Sequence, residues 1–132
     1  MLEACKGGAI ETMQFDLKEA AKDNESYRKV IFTGPHSQLV LMSLPPGSEI
    51  GIESHPVDQF FYLVKGEGTA TVGNEDYKLE KGDALCVPAG QPHNVVNTGD
   101  EPLKLFTIYS PAQHSAGLEQ KARPEPVAAL TR

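Results

Sequence analysis

Four side chains in this sequence have the types that could do chemistry together: Glu53, His55 and Gln59 within "IESHPVDQ", and His93 from the separate segment "QPHNVVN". Two imidazoles and one carboxylate are a donor combination that suits divalent first-row metals. Gln59 would add a neutral amide oxygen, as a fourth ligand or as a hydrogen-bond partner of a metal-bound water. Glu53 and His55 are two residues apart and share a face if they lie on one strand; Gln59 has the same parity, although "HPV" can turn the chain between them. Taken singly, the same residues read more plainly as an exposed loop carboxylate, two hydrogen-bonded histidines and a polar strand residue, because most single polar residues carry no chemical role. The spacing supports no phosphate loop, nucleophile elbow or Ser-His-Asp arrangement.

These groups need elements to hold them. Short segments rich in Val, Ile, Thr, Phe and Tyr run along the chain: "KVIFT", "SQLVLMSL", "QFFYLV", "GTATVG", "YKLE", "ALCVP", "HNVVN" and "LKLFTIY". Between them lie "GPH", "PPGSE", "KGEG", "GNED", "EKGD", "PAGQP" and "NTGDEP", dense in residues that supply positive φ, a fixed φ or local side-chain hydrogen bonds. Many short, turn-separated strands predict an all-β sandwich or barrel. Residues 1–28 form an N-terminal arm with a short helix around Leu17 to Lys22, residues 29–109 the β-barrel, and residues 110–132 a polar tail that wraps the surface or a neighbouring subunit. Phe61, Leu63, Val72, Leu85 and Val95 are positioned to give the site a dry wall. Cys86, in an apolar strand, is expected in the core, and Lys65 and Lys78 as solvated strand-end charges. Tyr62, Tyr109 and Phe60 are read as core aromatics, and His36 and His114 as surface residues, His114 within reach of the barrel mouth.

The punctuation is specific in its spacing. From Gly47 the order is five residues, Glu53, one residue, His55, three residues, Gln59, six residues, Gly66. Fifteen residues later comes Gly82, five residues, Pro88, one residue, Gly90, two residues, His93, three residues, Asn97. These two runs resemble the paired sequence motifs of the cupin superfamily, in particular its small single-domain members. The second motif is matched at every defined position. In the first, Glu53 stands where the family usually has histidine and Gln59 where it usually has glutamate. The resemblance implies a double-stranded β-helix, or jelly roll, whose motifs face each other and point their polar side chains into the barrel mouth. Glu53, His55, Gln59 and His93 would then converge on a divalent metal ion, with iron, manganese, nickel and zinc all compatible with the donors. It also implies a pocket for a small polar molecule, used either for metal-dependent isomerase, dioxygenase or lyase chemistry or for binding a sugar, metabolite or metal without turnover. The reaction itself does not follow from fold-level likeness.

Composition narrows the partners. The 132 residues amount to one domain, large enough to hold a core without staples. A formal charge of -6 disfavours nucleic acid. No apolar run has the length of a membrane span and the start of the chain lacks a signal-peptide pattern, so the expected location is cytoplasmic, without membrane association. The two cysteines have neither disulfide-scaffold nor zinc-ribbon spacing. Lys65 is the one basic residue close to the motifs, which argues against a phosphosugar substrate. An open jelly roll leaves sheet edges and apolar faces to cover, so a homodimer is expected.

Overall fold

The structure is a computed structural model and describes residues 11–124; the expectations for residues 1–10, Cys5 among them, and for residues 125–132 lie outside the described residues. The first element is a helix, α1 (Leu17–Asp23). Asp16 starts it by accepting a hydrogen bond from the Glu19 amide at 3.1 Å. It ends at Asn24, whose side chain turns to bond the backbone of Ser26, so the polar "DNES" stretch limits the helix to two turns. Its buried face is Ala21, packed with Leu41, Val64 and Phe106 on the outside of a sheet.

Nine strands follow among the described residues: β1 (Arg28–Thr33), β2 (Gln38–Leu44), β3 (Asp58–Lys65), β4 (Glu67–Val72), β5 (Glu75–Glu80), β6 (Ala84–Val87), β7 (His93–Asn97), β8 (Leu103–Ser110) and β9 (Glu119–Gln120). All pairings are antiparallel, in one sheet of order β6-β3-β8-β2-β1-β9 and another of order β5-β4-β7. This is the expected all-β jelly roll with one short helix. The second sheet is widened by the chain before β3, which runs beside β7 through Ile50 N to Val95 O at 2.9 Å and Asn97 N to Ser48 O at 2.8 Å.

Period-two alternation decides what faces the barrel interior. On β3 it turns Gln59, Phe61 and Leu63 inward, on β7 His93, Val95 and Asn97. Phe61, Leu63, Leu85 and Val95 join Val40, Met42, Leu44, Leu105 and Tyr109 in the main core, with Val72 packed against it. The same alternation corrects one expectation. Leu85 and Val87 point inward on β6, so Cys86 between them is exposed rather than a core residue. Phe60 and Tyr62 pack with Phe106 on the outer face, while Tyr109 is fully buried inside.

Two motif residues are explained by backbone demands. Gly66 has φ of 92°, and a Cβ there would sit 2.9 Å from the Pro102 carbonyl oxygen, so the β3–β4 turn excludes a side chain. Asn97 is buried and closes the far end of the motif. Its Nδ2 donates to the carbonyls of Leu44 and Glu101, both at 2.9 Å, and its Oδ1 accepts from the Gly99 amide at 2.9 Å.

The chain after β8 returns to the barrel. Gln38, fully buried, clamps it: Oε1 accepts from the amides of Gln113 and His114 at 3.0 and 2.9 Å, and Nε2 donates to the His114 carbonyl at 2.7 Å. β9 then pairs with β1, matching Arg28 with Gln120. No helix among the described residues is long and apolar enough to cross a membrane.

Candidate metal centre

The two motifs are joined by backbone before any side chain is considered. Glu53 and His93 form a two-bond bridge, Glu53 N to His93 O at 2.9 Å and His93 N to Glu53 O at 2.8 Å, and the Gly90 amide donates to the His55 carbonyl at 2.7 Å. Residues from distant segments are thereby held side by side. Ligand atoms of Glu53, His55 and His93 all lie within 4.8 Å of one another, close enough to hold a single metal ion.

The donor chemistry fits such an ion. The His93 Nδ1 lies 2.9 Å from the Gln91 carbonyl, which can only accept, so Nδ1 carries the proton and Nε2 presents a lone pair. That Nε2 is buried and has no partner in the protein. An unmet buried acceptor is costly, and a cation is one way to satisfy it. His55 Nε2 lies 3.1 Å from Glu53 Oε1. Gln59 is buried on the inward face of β3; its Nε2 donates to Thr107 Oγ1 at 3.0 Å, which leaves its carbonyl Oε1 buried without a partner. Asp58, next to it, is exposed and accepts from the Ala89 amide at 3.0 Å, so it faces away from the cluster as alternation requires.

Electrostatics keep Glu53 ionised. Burial pushes its carboxyl up, but the hydrogen bond with His55 and the charge of Arg28 outweigh that and hold it below the usual carboxylate range. Arg28 is the residue that sequence reasoning missed. It is 5% exposed, and its Nη2 lies 3.5 Å from Glu53 Oε2 while Nη1 donates to Gln120 Oε1 at 2.7 Å. The reading of Lys65 as the one nearby cation is therefore corrected: Lys65 sits half-exposed beside Glu101 at the far end of β3, and the cation at the cluster comes from the first residue of β1. A signal was present, since Arg28 shares strand parity with the buried Val30.

The tail contributes as well. His114, expected at the surface within reach of the mouth, is half-buried with its ring 5.1 Å from that of Tyr109 and 6.4 Å from that of His55, and its Nε2 is 3.2 Å from the Tyr109 hydroxyl. Burial above all, then the charge of Arg28, pushes its pKa down to about 4. Burial likewise raises the Tyr109 phenol well above its ordinary value. His36, by contrast, is exposed. The rings of His55 and His93 lie 5.6 Å apart, with Phe61 packed edge-on to His93 at 5.8 Å, so the mouth is a lining of imidazole and aromatic rings around one carboxylate and one guanidinium.

Residues 40–109, from β2 through β8, match the Cupin domain family. The chain belongs to the cupin family. It is 40% identical over 121 residues to the uncharacterised protein YrkC of Bacillus subtilis, covering 86% of this chain and 65% of that relative's length. It is 31% identical over 68 residues to the oxalate-binding protein of Thermotoga maritima, covering 51% of this chain and 56% of that protein. Among solved structures, BH2720 of Bacillus halodurans superposes with a TM-score of 0.86 at 32% identity, covering 98% of this chain and all of that one.

Proposed function

We propose that this cupin binds one divalent metal ion through Glu53, His55 and His93, with Gln59 completing the set, and that the metal holds a small polar molecule in the barrel mouth. The observation that carries the reading is the His93 Nε2 lone pair, buried, unpartnered and within 4.8 Å of the donors of Glu53 and His55. Iron, manganese, nickel and zinc all suit imidazole with oxygen donors. When bound, such an ion supplies Lewis acidity or, if it is redox-active, oxygen activation, the chemistry behind isomerase, lyase or dioxygenase activity. The chain's own residues position the site: Gln91 fixes the His93 tautomer, Arg28 steadies the Glu53 carboxylate, and Tyr109 holds His114 beside the His55 ring.

A second reading, binding without turnover, is favoured by the Thermotoga relative, which is named for binding oxalate. The protein is further proposed to act in the cytoplasm as a homodimer. Partly exposed apolar side chains on the outer sheet face, Ile31, Leu39, Phe60, Tyr62 and Ile108, support a second copy as the cover. The deciding experiment is elemental analysis of protein purified without chelator or metal-affinity steps. About one transition metal per chain, lost in His93→Ala, is the expected result; a metal-free wild type that takes up no added metal would end the reading.

A further inference from the structure

A second cavity lies apart from the metal donors. It measures about 350 Å³, and none of Glu53, His55, Gln59 or His93 lines it. Its walls come from the residues leading into β1, the end of β2 with the turn closed by Ser48 N to Pro45 O, the start of β8, and the chain just after β9. Within β8, Lys104 in this cavity and Tyr109 in the mouth are separated by about 17 Å at the rise of an extended strand.

Charge sets this cavity apart. The chain has a formal charge of -6, yet Lys104, Lys121 and Arg123 meet one carboxylate, Glu25, among the described residues of the lining. Lys104 is 7% exposed and donates from Nζ to the Asn24 carbonyl at the end of α1, while no carboxylate among the described residues lies within 4.0 Å of it. Capping the helix end is a structural role, but it uses one of three N–H donors. Burial above all lowers the pKa of this ammonium, against the pull of Glu25 and Asp23 and with the repulsion of Lys65. A buried ammonium without a paired carboxylate is costly, and a bound anion relieves that cost. Arg123 likewise has no carboxylate within 4.0 Å among the described residues. Its guanidinium rests against the backbone at Gly51, where a Cβ would come within 2.5 Å of Nη2. Lys121 is partly committed, its Nζ 2.9 Å from Glu119 Oε2.

We propose that this cavity is a second ligand site, separate from the barrel mouth, that takes a phosphate group. Two ammonium groups, a guanidinium and the hydroxyls of Ser43 and Ser48 reach it from separate elements. Charges and donors so spread suit a tetrahedral dianion, whereas a planar carboxylate is matched by a single guanidinium fork. The volume is that of a small-molecule pocket, and Pro45, Pro46 and Pro102 give an organic body attached to the phosphate an apolar wall.

The test is calorimetric titration of the full chain with phenyl phosphate, inorganic phosphate, benzoate and phenol, on protein as purified and again after metal is stripped and the chelator dialysed away. Wild type is expected to bind the better of the two phosphates with Kd below about 1 mM, at least about tenfold more tightly than benzoate or phenol, and equally in both preparations. Tighter binding of phenyl phosphate makes a phosphomonoester the ligand, and tighter binding of inorganic phosphate makes it the free ion; both uphold the site. Lys104→Gln and Arg123→Gln should each lose about 3- to 30-fold in affinity, and Lys78→Gln, on the other sheet, should match wild type. Arg123 is exposed, so its variant decides the matter should Lys104→Gln fail to fold. A Kd above about 1 mM for both phosphates, benzoate or phenol within about tenfold of the better one, Arg123→Gln within about threefold of wild type, or binding lost with the metal would each overturn the proposal.

Discussion

Replacing Glu53 with Gln keeps the side chain's shape and removes the one negative charge of the cluster. Two separable losses should follow. The first is the metal's contribution to stability, RT ln(1 + [M]/Kd), about 2.7 kcal/mol at a hundredfold excess of metal over Kd. For a domain of this size, about 4 °C per kcal/mol turns that into a chelator-induced fall of about 10 °C in wild-type Tm. The second is the partner of Arg28. Glu53 is 26% exposed and the pair stands at 3.5 Å, so its loss costs less than that of a fully buried bridge, about 1–2 kcal/mol, or about 4–8 °C. Differential scanning fluorimetry of apo and metal-loaded samples separates the two. In chelator, Glu53→Gln should melt about 4–8 °C below wild type; with metal restored, wild type should recover and the variant should barely respond. Equal responses to chelator in wild type, Glu53→Gln and His93→Ala would refute both the ligand role of Glu53 and the geometry on which it rests.

Asn97→Ala, at the other end of β7 from His93, removes three hydrogen bonds of a buried side chain and should cost about 2–4 kcal/mol in urea unfolding; a loss below about 1 kcal/mol would mean the clamp is dispensable. Gly66→Ala forces a Cβ to within 2.9 Å of a carbonyl at φ of 92°, so it should destabilise by more than about 1 kcal/mol, with no effect at all as the contrary result. Cys86 should be alkylated by iodoacetamide in the folded state, read by peptide mass mapping, and protection until denaturant is added would contradict its outward placement. Sedimentation equilibrium should give a dimer that Phe60→Glu weakens, whereas a concentration-independent monomer would remove the proposed cover of the outer face.

The order of strands and turns and the shared parity of Glu53, His55 and Gln59 were legible in the chain, because they follow from local rules: turn residues with special φ, and side chains alternating every two residues; that Gln59 and His93 face inward came with the family resemblance. The pairing of motifs was legible only through their spacing, and that spacing matched the cupin pattern. Alternation was also where Cys86 was misread, since an apolar segment with one buried face looks like one buried on both. What sequence could not supply were the contacts made in the mouth by residues from outside the motifs. Arg28 arrives because β1 pairs with β2 and β9, His114 because Gln38, on another strand, clamps the returning tail. Those placements depend on non-local pairing and on a single buried side chain; the parity of Arg28 with Val30 hints at an inward face but not at which residues it meets there. The charge of the mouth, and with it the chemistry proposed here, was therefore decided by the tertiary structure, while the sequence by itself determined the barrel and the candidate donors Glu53, His55 and His93.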